Sequence, residues 1–390
     1  MFPKLRFKEF DGDLTESKLV ELTSWASGGT PAKDVPEYWG DGIPLISGAS
    51  MHTNQLYESD VKITKLGLQK GSKLALKDSI LILVRGSMLF NKIPMGITLG
   101  DVAFNQDVKC IRPKQQLAPL FLFQWLHAKE NTIQNKVTAT GIGAGKLDTA
   151  DLQNLKLYKP SLEEQTKIAT FLSAVDEKIS QLTQKHQLLR EYKQGMMQKL
   201  FSQQVRFKAD DGSEFGEWEN ILVKEIFDVT RGQVLAVSNT ASVANTDYKY
   251  PVFSSQTKQK GLMGFYKKYL FEDALTWTTD GANAGDVNFR KGKFYCTNVC
   301  GVLLSKKGYA NLCIAEILNK VTHKYVSYVG NPKLMNNVMS EIPITIPSNL
   351  EEQTKIANFL SSIDQKIEVV AQQIEQAKQW KKGLLQNMFI

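Results

Sequence analysis

The stretch LEEQTKIATFLSAVDEKI, residues 162–179, returns almost unchanged as LEEQTKIANFLSSIDQKI at residues 350–367. The two copies start 188 residues apart (350 − 162), and residues 162–201 align with residues 350–389 without a gap. In that alignment 19 of the 40 pairs are identical, which chance does not produce. The chain therefore contains an internal repeat, and an internal repeat is a feature of architecture.

Each copy begins with residues that favour the start of a helix. Ser161 with Glu164, and Asn349 with Glu352, have the spacing of a capping box, in which the N-cap residue and the third helical residue exchange hydrogen bonds. Two glutamates in the first turn of each copy also suit the positive end of a helix dipole. We therefore expect a helix to begin at each copy.

Both copies carry apolar side chains at alternating steps of four and three, the spacing of a heptad seam. The first seam contains Ile168, Leu172, Val175, Ile179, Leu182, His186, Leu189, Lys193, Met196 and Leu200. The second seam contains Ile356, Leu360, Ile363, Ile367, Val370, Ile374, Ala377, Lys381, Leu384 and Met388. A helix of about 40 residues is roughly 60 Å long. A helix of that length with one apolar stripe is not stable alone in water, so we expect the two copies to bury each other's seams.

Polar and small residues interrupt both seams at the same place. Lys193 and Lys381 are the polar members, and Gly195 and Gly383 follow two residues later. Glycine inside a helix costs up to ~1 kcal/mol relative to alanine. Two interpretations stay open. These residues mark a close approach of helices or a docking surface for a partner, or they are a tolerated interruption near the helix ends.

The segments between the copies are rich in short strand-like runs. Related words open the two halves, LRFKEFDG at residues 5–12 and VRFKADDG at residues 205–212. Strands are expected at residues 43–47, 79–84, 108–111, 250–254, 274–279 and 299–304, and helices at residues 118–129 and 310–321. The two segments thus predict domains of one fold with divergent surfaces.

The repeat and these segments together predict an α+β fold with internal pseudo-twofold symmetry. Two similar globular α/β domains occupy residues 1–160 and residues 204–347. The long helices occupy residues 161–203 and residues 348–390.

Size and composition suit a globular binding protein. The chain has 390 residues, of which 42% are hydrophobic and 23% charged. Its formal net charge of +8 and pI of about 9.0 favour an anionic partner such as nucleic acid. No apolar run approaches the ~18 residues of a transmembrane helix. The N-terminal MFPKLRFKEFDGD lacks the apolar core of a signal peptide, so we expect a cytoplasmic protein without a membrane partner.

The residues offer little for catalysis. Cys296 and Cys300 have C-x3-C spacing without a second ligand pair, so buried reduced thiols are favoured over zinc. The four histidines have no metal-ligand spacing, and no Gly-rich loop after a strand predicts a site for S-adenosylmethionine. No nucleophile elbow is present. We predict a binding protein with no catalytic residues, metal or cofactor of its own.

Polar loops with glycines offer groups that suit DNA. Gly-rich turns let the backbone approach a phosphate, and nearby cations supply the counter-charge. Arginine matches guanine in the major groove, and Asn or Gln matches adenine. The candidate DNA-contacting residues are Thr30, Arg85, Ser87, Asn105, Gln106, Lys146, Arg231, Ser255, Gln256, Thr279, Asn283, Asn298, Lys333 and Asn336. For each loop the alternative is an ordinary solvated turn.

Over its whole length the chain resembles the specificity (S) subunit of Type I restriction-modification systems. The most specific parts of the resemblance are the two LEEQTKIA-FLS helices, with their trailing K-G---Q---F pattern at residues 193–201 and 381–389. The SGGTP opening at residues 27–31 and the closure that begins GAGKLDTADL at residue 143 are less specific.

The resemblance implies two target recognition domains, each reading one half of a split site in double-stranded DNA, and an antiparallel coiled-coil spacer. Because the two recognition segments differ in sequence, we expect an asymmetric bipartite site. The spacer would hold two methyltransferase (M) subunits, and restriction (R) subunits would join through them. S-adenosylmethionine, ATP and Mg are expected on those partner subunits. The expected helix seam and partner interface consists of Ile168, Leu172, Val175, Ile179, Leu182, Gly195, Ile356, Leu360, Ile363, Ile367 and Gly383.

Two other classes of protein stay open. The first is a self-contained DNA methyltransferase or nuclease, for which binding of S-adenosylmethionine by the chain alone would be the sign. The second is a coiled-coil interaction protein without a DNA role. Unchanged DNA affinity after joint substitution of Arg85, Lys146 and Lys333 would favour that class.

Overall fold

The computed structural model describes residues 3–141, 143–255, 258–305 and 307–390. The chain forms two compact units. The first unit contains Met1–Gln184 and Gln372–Ile390, and the second contains Lys185–Ala371. Each unit thus holds one of the two variable segments together with parts of both long helices.

The two long helices are present as the repeat predicts, at Leu162–Phe201 and Leu350–Met388. The hydroxyl of Ser161 accepts a hydrogen bond from the N–H of Glu164 at 3.2 Å. In the second copy the side chain of Asn349 accepts instead from the N–H of Glu351, at 2.7 Å. Both helices therefore begin at a side-chain cap.

The helices pack start against end within each unit. In the first unit Phe171, near the start of the central helix, lies edge-on to Trp380, near the end of the C-terminal helix, at 6.0 Å between ring centroids. In the second unit Leu200, at the end of the central helix, shares a core with Ile356 and Leu360, at the start of the other. The pairing is therefore antiparallel in both units.

The first unit is built on two small sheets. The five-stranded sheet has the order Thr23–Ser27, Val108–Pro113, Ile80–Leu83, Met95–Thr98, Gln55–Leu56. The four-stranded sheet has the order Lys62–Ile63, Trp39–Ile46, Val102–Phe104, Lys73–Ala75. The other strands are Thr15–Lys18, Arg85–Gly86, Thr138–Ala139, Gly145–Lys146 and Lys156–Lys159, and the short helices are Leu19–Leu22, Lys65–Gly71, Pro119–Ala128, Glu130–Gln134 and Thr149–Gln153. Helix Pro119–Ala128 buries Phe121 and Trp125 in the core that includes Leu172.

The second unit has one six-stranded sheet in place of these two sheets. Its order is Asp228–Arg231, Cys300–Leu304, Phe271–Thr278, Val287–Cys296, Tyr250–Phe253, Leu262–Tyr266. The other strands are Trp218–Leu222 and Pro343–Pro347, and the short α-helices are Val223–Ile226, Leu312–Val321 and Asn336–Ser340. Trp277, which is 1% exposed, lies in the core of this unit with Leu318.

Strand register makes the two units directly comparable. In the first unit Leu81 pairs with Gly96 on one side and Cys110 on the other. In the second unit Thr276 pairs in the same way with Asn288 and Val302. The register therefore identifies residues of the two sheets that occupy equivalent positions, such as Leu81 and Thr276.

The α+β fold with two similar domains is confirmed, and each strand or helix expected in the variable segments has an observed element at its place. The expected domain boundaries stay predictions, because the compact units divide the long helices rather than set them apart. In the described part of the chain, no helix is both long enough and apolar enough to cross a membrane.

Candidate functional site

The first turn of each long helix anchors the domain that precedes it. Arg6 donates two hydrogen bonds of 2.7 Å to the carboxylate of Glu164, and Arg206 donates to Glu352 at 3.0 and 2.8 Å. Both carboxylates are nearly inaccessible, at 2% and 1% exposed. The hydrogen bonds that Arg6 donates to Glu164 raise the pKa of Arg6, and those that Arg206 donates to Glu352 raise the pKa of Arg206. Bidentate charge-assisted pairs of this kind fix orientation as well as position.

These contacts correct the capping-box expectation. The glutamates do not bond back to the N-cap backbone, because a guanidinium offers each of them two charged donors. The adjacent Gln165 and Gln353 are fully buried and donate to the carbonyl groups of Pro160 and Pro347, at 2.9 and 2.8 Å. The repeated LEEQ sequence therefore joins the start of each long helix to the domain before it. We call the pairs Arg6–Glu164 and Arg206–Glu352 the clamps.

The seam lysines pair across the helices within their own units. Lys193 donates to Asp364 at 2.9 Å and to Glu316 at 3.3 Å. Lys381 pairs with Asp176. Burial alone would lower the pKa of Lys193, but the bonds and charges of Asp364 and Glu316 outweigh it, so that pKa is raised. Each lysine thus binds the aspartate of the other copy, and Asp176 and Asp364 occupy the same position in the repeat.

The two seam glycines do not mark a close approach within the described chain. A Cβ atom added at Gly195 or Gly383 meets no atom within 4 Å. Of the interpretations that stayed open, a close helix approach is wrong. A docking surface and a tolerated interruption stay predictions.

The other seam positions are buried or half-buried. Their contacts with a partner chain stay a prediction. Ile168, Leu172, Val175, Leu182, Ile356, Leu360 and Ile363 are buried, and Ile179 and Ile367 are half-buried.

Backbone hydrogen bonds hold four loops of the first unit together. We call residues 28–30, 84–87, 105–107 and 145–147 the first loop cluster. Each bond joins a backbone N–H to a backbone carbonyl. The donor and acceptor residues are Gly29 and Phe104 (3.0 Å), Val84 and Asp107 (2.8 Å), Asn105 and Ile46 (3.0 Å), and Leu147 and Val84 (2.9 Å). Loops that are tied in this way present their side chains from a fixed backbone.

The side chains of the first loop cluster are polar and largely accessible. Arg85 and Lys146 are exposed and face each other as register partners of two short strands. Ser87 and Gln106 are also exposed, and Gln106 accepts a 2.7 Å hydrogen bond from the half-buried Thr30. The half-buried Asn105 uses its side-chain oxygen to accept from the N–H of Asp107. The structure therefore brings all six first-half candidates together.

The second unit repeats the same hydrogen-bond pattern bond for bond. We call residues 231–234, 253–255, 279–283, 297–299 and 332–334 the second loop cluster. The residues that donate the N–H and accept at the carbonyl are, in the same order as above, Gln233 and Cys296 (3.0 Å), Thr279 and Val299 (3.2 Å), Thr297 and Phe253 (2.9 Å), and Leu334 and Thr279 (2.9 Å). The pattern is thus independent of the side chains, which differ between the clusters.

The second-half candidates separate into surface and interior residues. Arg231, Asn298 and Lys333 are exposed, and Ser255 and Asn283 are half-buried. Two others point into the protein. Thr279 is 1% exposed and its hydroxyl donates to internal oxygens, while the half-buried Asn336 donates to the carbonyl of Thr230.

Those two side chains hold the loops instead of lining the surface. Gln256 lies outside the residues that the structure describes.

Two features of the clusters were missed from the sequence. A Cβ atom at Gly28 or Gly232 would collide with the carbonyl of Phe104 or Cys296, so a glycine is required where the chain crosses this edge in both units. The turn that Lys333 closes exposes Tyr328 at 69%. The shared glycine in SGGTP and TRGQ was the available signal for the first feature.

The cysteines match the expectation of buried thiols, since Cys296, Cys300, Cys110 and Cys313 are all free and buried. Burial raises the pKa of Cys110. Within the described ranges, no three His, Cys, Asp or Glu side chains lie close enough to hold a metal ion.

Each of the two α/β units carries a polar loop cluster that backbone hydrogen bonds hold in place, and each unit is clamped to the paired helices. This arrangement is typical of a protein that recognises its ligand through two separate surfaces. The model of the type I restriction modification DNA specificity domain matches residues 12–190 and 216–379. The chain belongs to this family, whose members are DNA-recognition subunits of restriction-modification complexes rather than catalytic ones.

Individual relatives agree with this assignment. The chain is 26% identical over 423 residues to a putative type I restriction enzyme MjaX specificity subunit of Methanocaldococcus jannaschii, covering 98% of this chain and 94% of that protein. It is 29% identical over 182 residues to the type I restriction enzyme EcoR124I/EcoR124II specificity subunit of Escherichia coli, covering 46% and 45%. The second match thus spans about half of each protein.

Solved structures share the fold. The S subunit of the type I restriction-modification system of M. genitalium superposes with a TM-score of 0.68 at 17% identity, over 100% of this chain and 99% of that one. A chain from a structure on complex assembly and conformational transition of the type I R-M system gives 0.56 at 14% identity, over 96% and 97%.

Proposed function

We propose that the chain recognises an asymmetric bipartite site in double-stranded DNA, one half-site for each loop cluster. The observation that supports this proposal is the identical backbone hydrogen-bond pattern of two clusters whose side chains differ. A common backbone that presents different donors and acceptors suits the reading of two different base sequences. DNA contact by the exposed candidates belongs to this proposal.

Mapping of methylated sites in a host that carries this chain tests the proposal. The expected motif is split, non-palindromic and lost when the gene is deleted. A continuous motif, or one that persists after deletion, would contradict it.

Exchange of one domain is the sharper experiment. Residues 1–160 are replaced with the corresponding segment of another family member, and the methylated motif is mapped again. Only one half-site should change, because each cluster is held inside its own unit. A simultaneous change of both half-sites would contradict the modular part of the proposal.

The proposal extends to the partners. The helix sequence is present in two copies and so offers two equivalent surfaces, which suits one chain that binds two methyltransferase subunits. Restriction subunits would attach through those methyltransferase subunits. S-adenosylmethionine, ATP and Mg belong on those subunits, and the complex acts in the cytoplasm. Native mass spectrometry of the complex should give a ratio of one chain to two methyltransferase subunits, and labelled S-adenosylmethionine should not bind the chain alone.

A further inference from the structure

A cavity of about 190 Å³ lies in the second unit among the loops of the second loop cluster. Its walls include Arg290, Thr276, Thr278, Ser254, Asn283 and Asn288. Thr276, Thr278 and Arg290 are buried, whereas Ser254, Asn283 and Asn288 are half-buried. The cavity therefore has a polar interior and a rim shared with the proposed DNA-contacting loops.

Arg290 is held rigidly in the wall of this cavity. Its Nε donates to Thr276 Oγ1 at 3.0 Å and its Nη2 donates to the carbonyl of Lys260 at 2.7 Å. The guanidinium also lies 3.7 Å from the centroid of the Phe253 ring. Burial lowers the pKa of Arg290 to about 10, so the side chain is still a cation at neutral pH.

The charge of Arg290 has no carboxylate partner. Within the described ranges, no Asp or Glu forms an ion pair with this side chain, although it is only 8% exposed. Asp286 also lines the cavity, but its carboxylate lies 3.3 Å from His323 Nε2. The partners of Arg290 are a hydroxyl, a carbonyl and an aromatic ring, all neutral, so this buried cation lacks a counter-ion and the site favours an added negative charge.

The fold itself does not require an arginine at this position. Strand register places Thr98 of the first unit where Arg290 lies in the second, since the sheet neighbours are Ser79 and Ala274 respectively. Thr98 is fully buried and donates to the carbonyl of Leu76 at 2.8 Å. A small neutral side chain thus completes the same sheet, and the cation belongs to the second unit alone.

We propose that the cavity binds a phosphate group, with Arg290 supplying the charge. Hydroxyl and amide groups of Thr276, Thr278 and Asn288 supply further hydrogen bonds. A water molecule occupies about 30 Å³ in the liquid, so the cavity has room for a phosphate and some water. Bonds between a guanidinium and a phosphate are charge-assisted and position the ligand strongly.

The phosphate comes from the backbone of the half-site that this unit reads, because the cavity rim belongs to the second loop cluster. In this form the inference rests on the proposed function. A free phosphate ion has the same chemistry, and the experiment separates the two sources.

The DNA arm uses the complete methyltransferase complex and a duplex that carries the mapped motif. Each backbone phosphate of the half-site is replaced in turn by an uncharged methylphosphonate, and Kd is measured. One position should cost the wild-type complex about tenfold in affinity, and Arg290→Gln should abolish the sensitivity at that position only. Lys291→Gln, on the exposed neighbour in the same strand, is the control and should keep the wild-type profile.

The free-ion arm measures melting of the whole chain in inorganic phosphate against chloride at equal ionic strength. A melting temperature that phosphate raises in the wild type and in Arg290→Lys, but not in Arg290→Gln, supports a free-ion site. If neither arm depends on Arg290, the inference is overturned. Should Arg290→Gln not fold, Thr276→Val is used, which keeps the cation and removes one hydroxyl of the cavity. It should reduce the sensitivity at the same single phosphate without abolishing it, and an unchanged profile would overturn the inference.

The outcomes also separate this inference from the proposed function. A mapped bipartite motif with no phosphate that depends on Arg290 overturns the cavity assignment and leaves the reading of half-sites intact. A continuous motif overturns the proposed function, and the free-ion arm still tests the cavity.

Discussion

The two loop clusters have the same backbone hydrogen bonds and different charge patterns. At the mouth of the first cluster Arg85 stands opposite Lys146, two cations side by side. At the equivalent place in the second cluster Asp280 stands opposite Lys333, with 3.9 Å between the charged atoms. Divergence of two reading surfaces therefore needs changes of side chain only, while the hydrogen bonds that fix the loops are kept.

The clamps between helix and domain lie at the other extreme, since they are identical in chemistry in the two units. Arg6 with Glu164 and Arg206 with Glu352 differ by no residue type. A contact that positions a domain has one good solution, whereas a contact that reads a sequence must vary. Four sets of substitutions test this comparison between shared clamps and divergent clusters, and their expected effects become smaller from one set to the next.

Loss of a clamp should have the largest effect. Glu352→Ala leaves the guanidinium of Arg206 without its partner in a largely buried site, which should cost about 3–5 kcal/mol of unfolding free energy. Hydrogen exchange should rise mainly within the second unit, and Glu164→Ala should act mainly within the first. Urea denaturation of Glu351→Ala, an exposed neighbour, is the control, and an equal loss there would contradict the clamp.

Loss of a seam lysine should have a smaller and unequal effect. Lys193→Ala leaves two carboxylates, Asp364 and Glu316, near each other, whereas Lys381→Ala leaves Asp176 still bonded to Gln124 at 2.8 Å. We expect a loss of about 1–3 kcal/mol for Lys193→Ala and less for Lys381→Ala. Thermal melts of both variants make the comparison, and a larger loss at Lys381 would contradict it.

The sign of the pH dependence follows from the raised pKa of Lys193. A base whose pKa is higher in the folded state stabilises the protein below its unfolded pKa, and that stabilisation is lost as pH rises through the folded value. The difference between wild type and Lys193→Ala should therefore shrink only in strongly alkaline solution.

The charge patterns of the clusters should appear in the salt dependence of DNA binding. Arg85→Gln and Lys146→Gln should each reduce the slope of log K against log salt by about 1, if each contacts a phosphate. Lys333→Gln should reduce it less, because Asp280 already offsets that charge. Asp280→Asn should raise affinity, and a decrease would show that the aspartate reads a base.

The smallest effects are expected at the seam glycines. Since an added Cβ meets no atom within 4 Å, Gly195→Ala and Gly383→Ala should stabilise the free chain by about 0.5–1 kcal/mol. Weaker capture of methyltransferase subunits by these stabilised variants, measured by titration, would identify a docking surface. Unchanged capture would identify a tolerated interruption.

Sequence patterns predicted what is local and repeated. The caps at Ser161 and Asn349 and the seam from Ile168 to Leu200 follow from spacing along one helix, and the structure contains both. The clamp was not predicted, because Arg6 and Glu164 lie 158 residues apart. Both residues belong to segments that the two halves repeat, and that repetition was the available signal. The antiparallel pairing came from the family resemblance and not from the seam, whose spacing fits either direction.

The sequence predicted the loops better than it predicted the directions of their side chains. Polar, glycine-containing words correctly indicated loops, and the structure gathers those loops into two clusters. The direction of a side chain was not available from its type. Thr279 and Asn336 have the same chemistry as accessible candidates, yet packing turns them inward, and Arg290 was overlooked because it lies inside a strand.

The division of each long helix between two units has a consequence for synthesis. The second unit is one continuous segment, Lys185–Ala371, and all of it has been synthesised before residues 372–390 are made. The first unit needs that last segment, since Leu384 and Met388 belong to its core and the N–H of Leu5 donates to the carbonyl of Asn387 at 2.9 Å. The half of the protein that is translated first is therefore completed last. A premature stop codon near the end of the mRNA would damage the first unit, which contains the amino terminus.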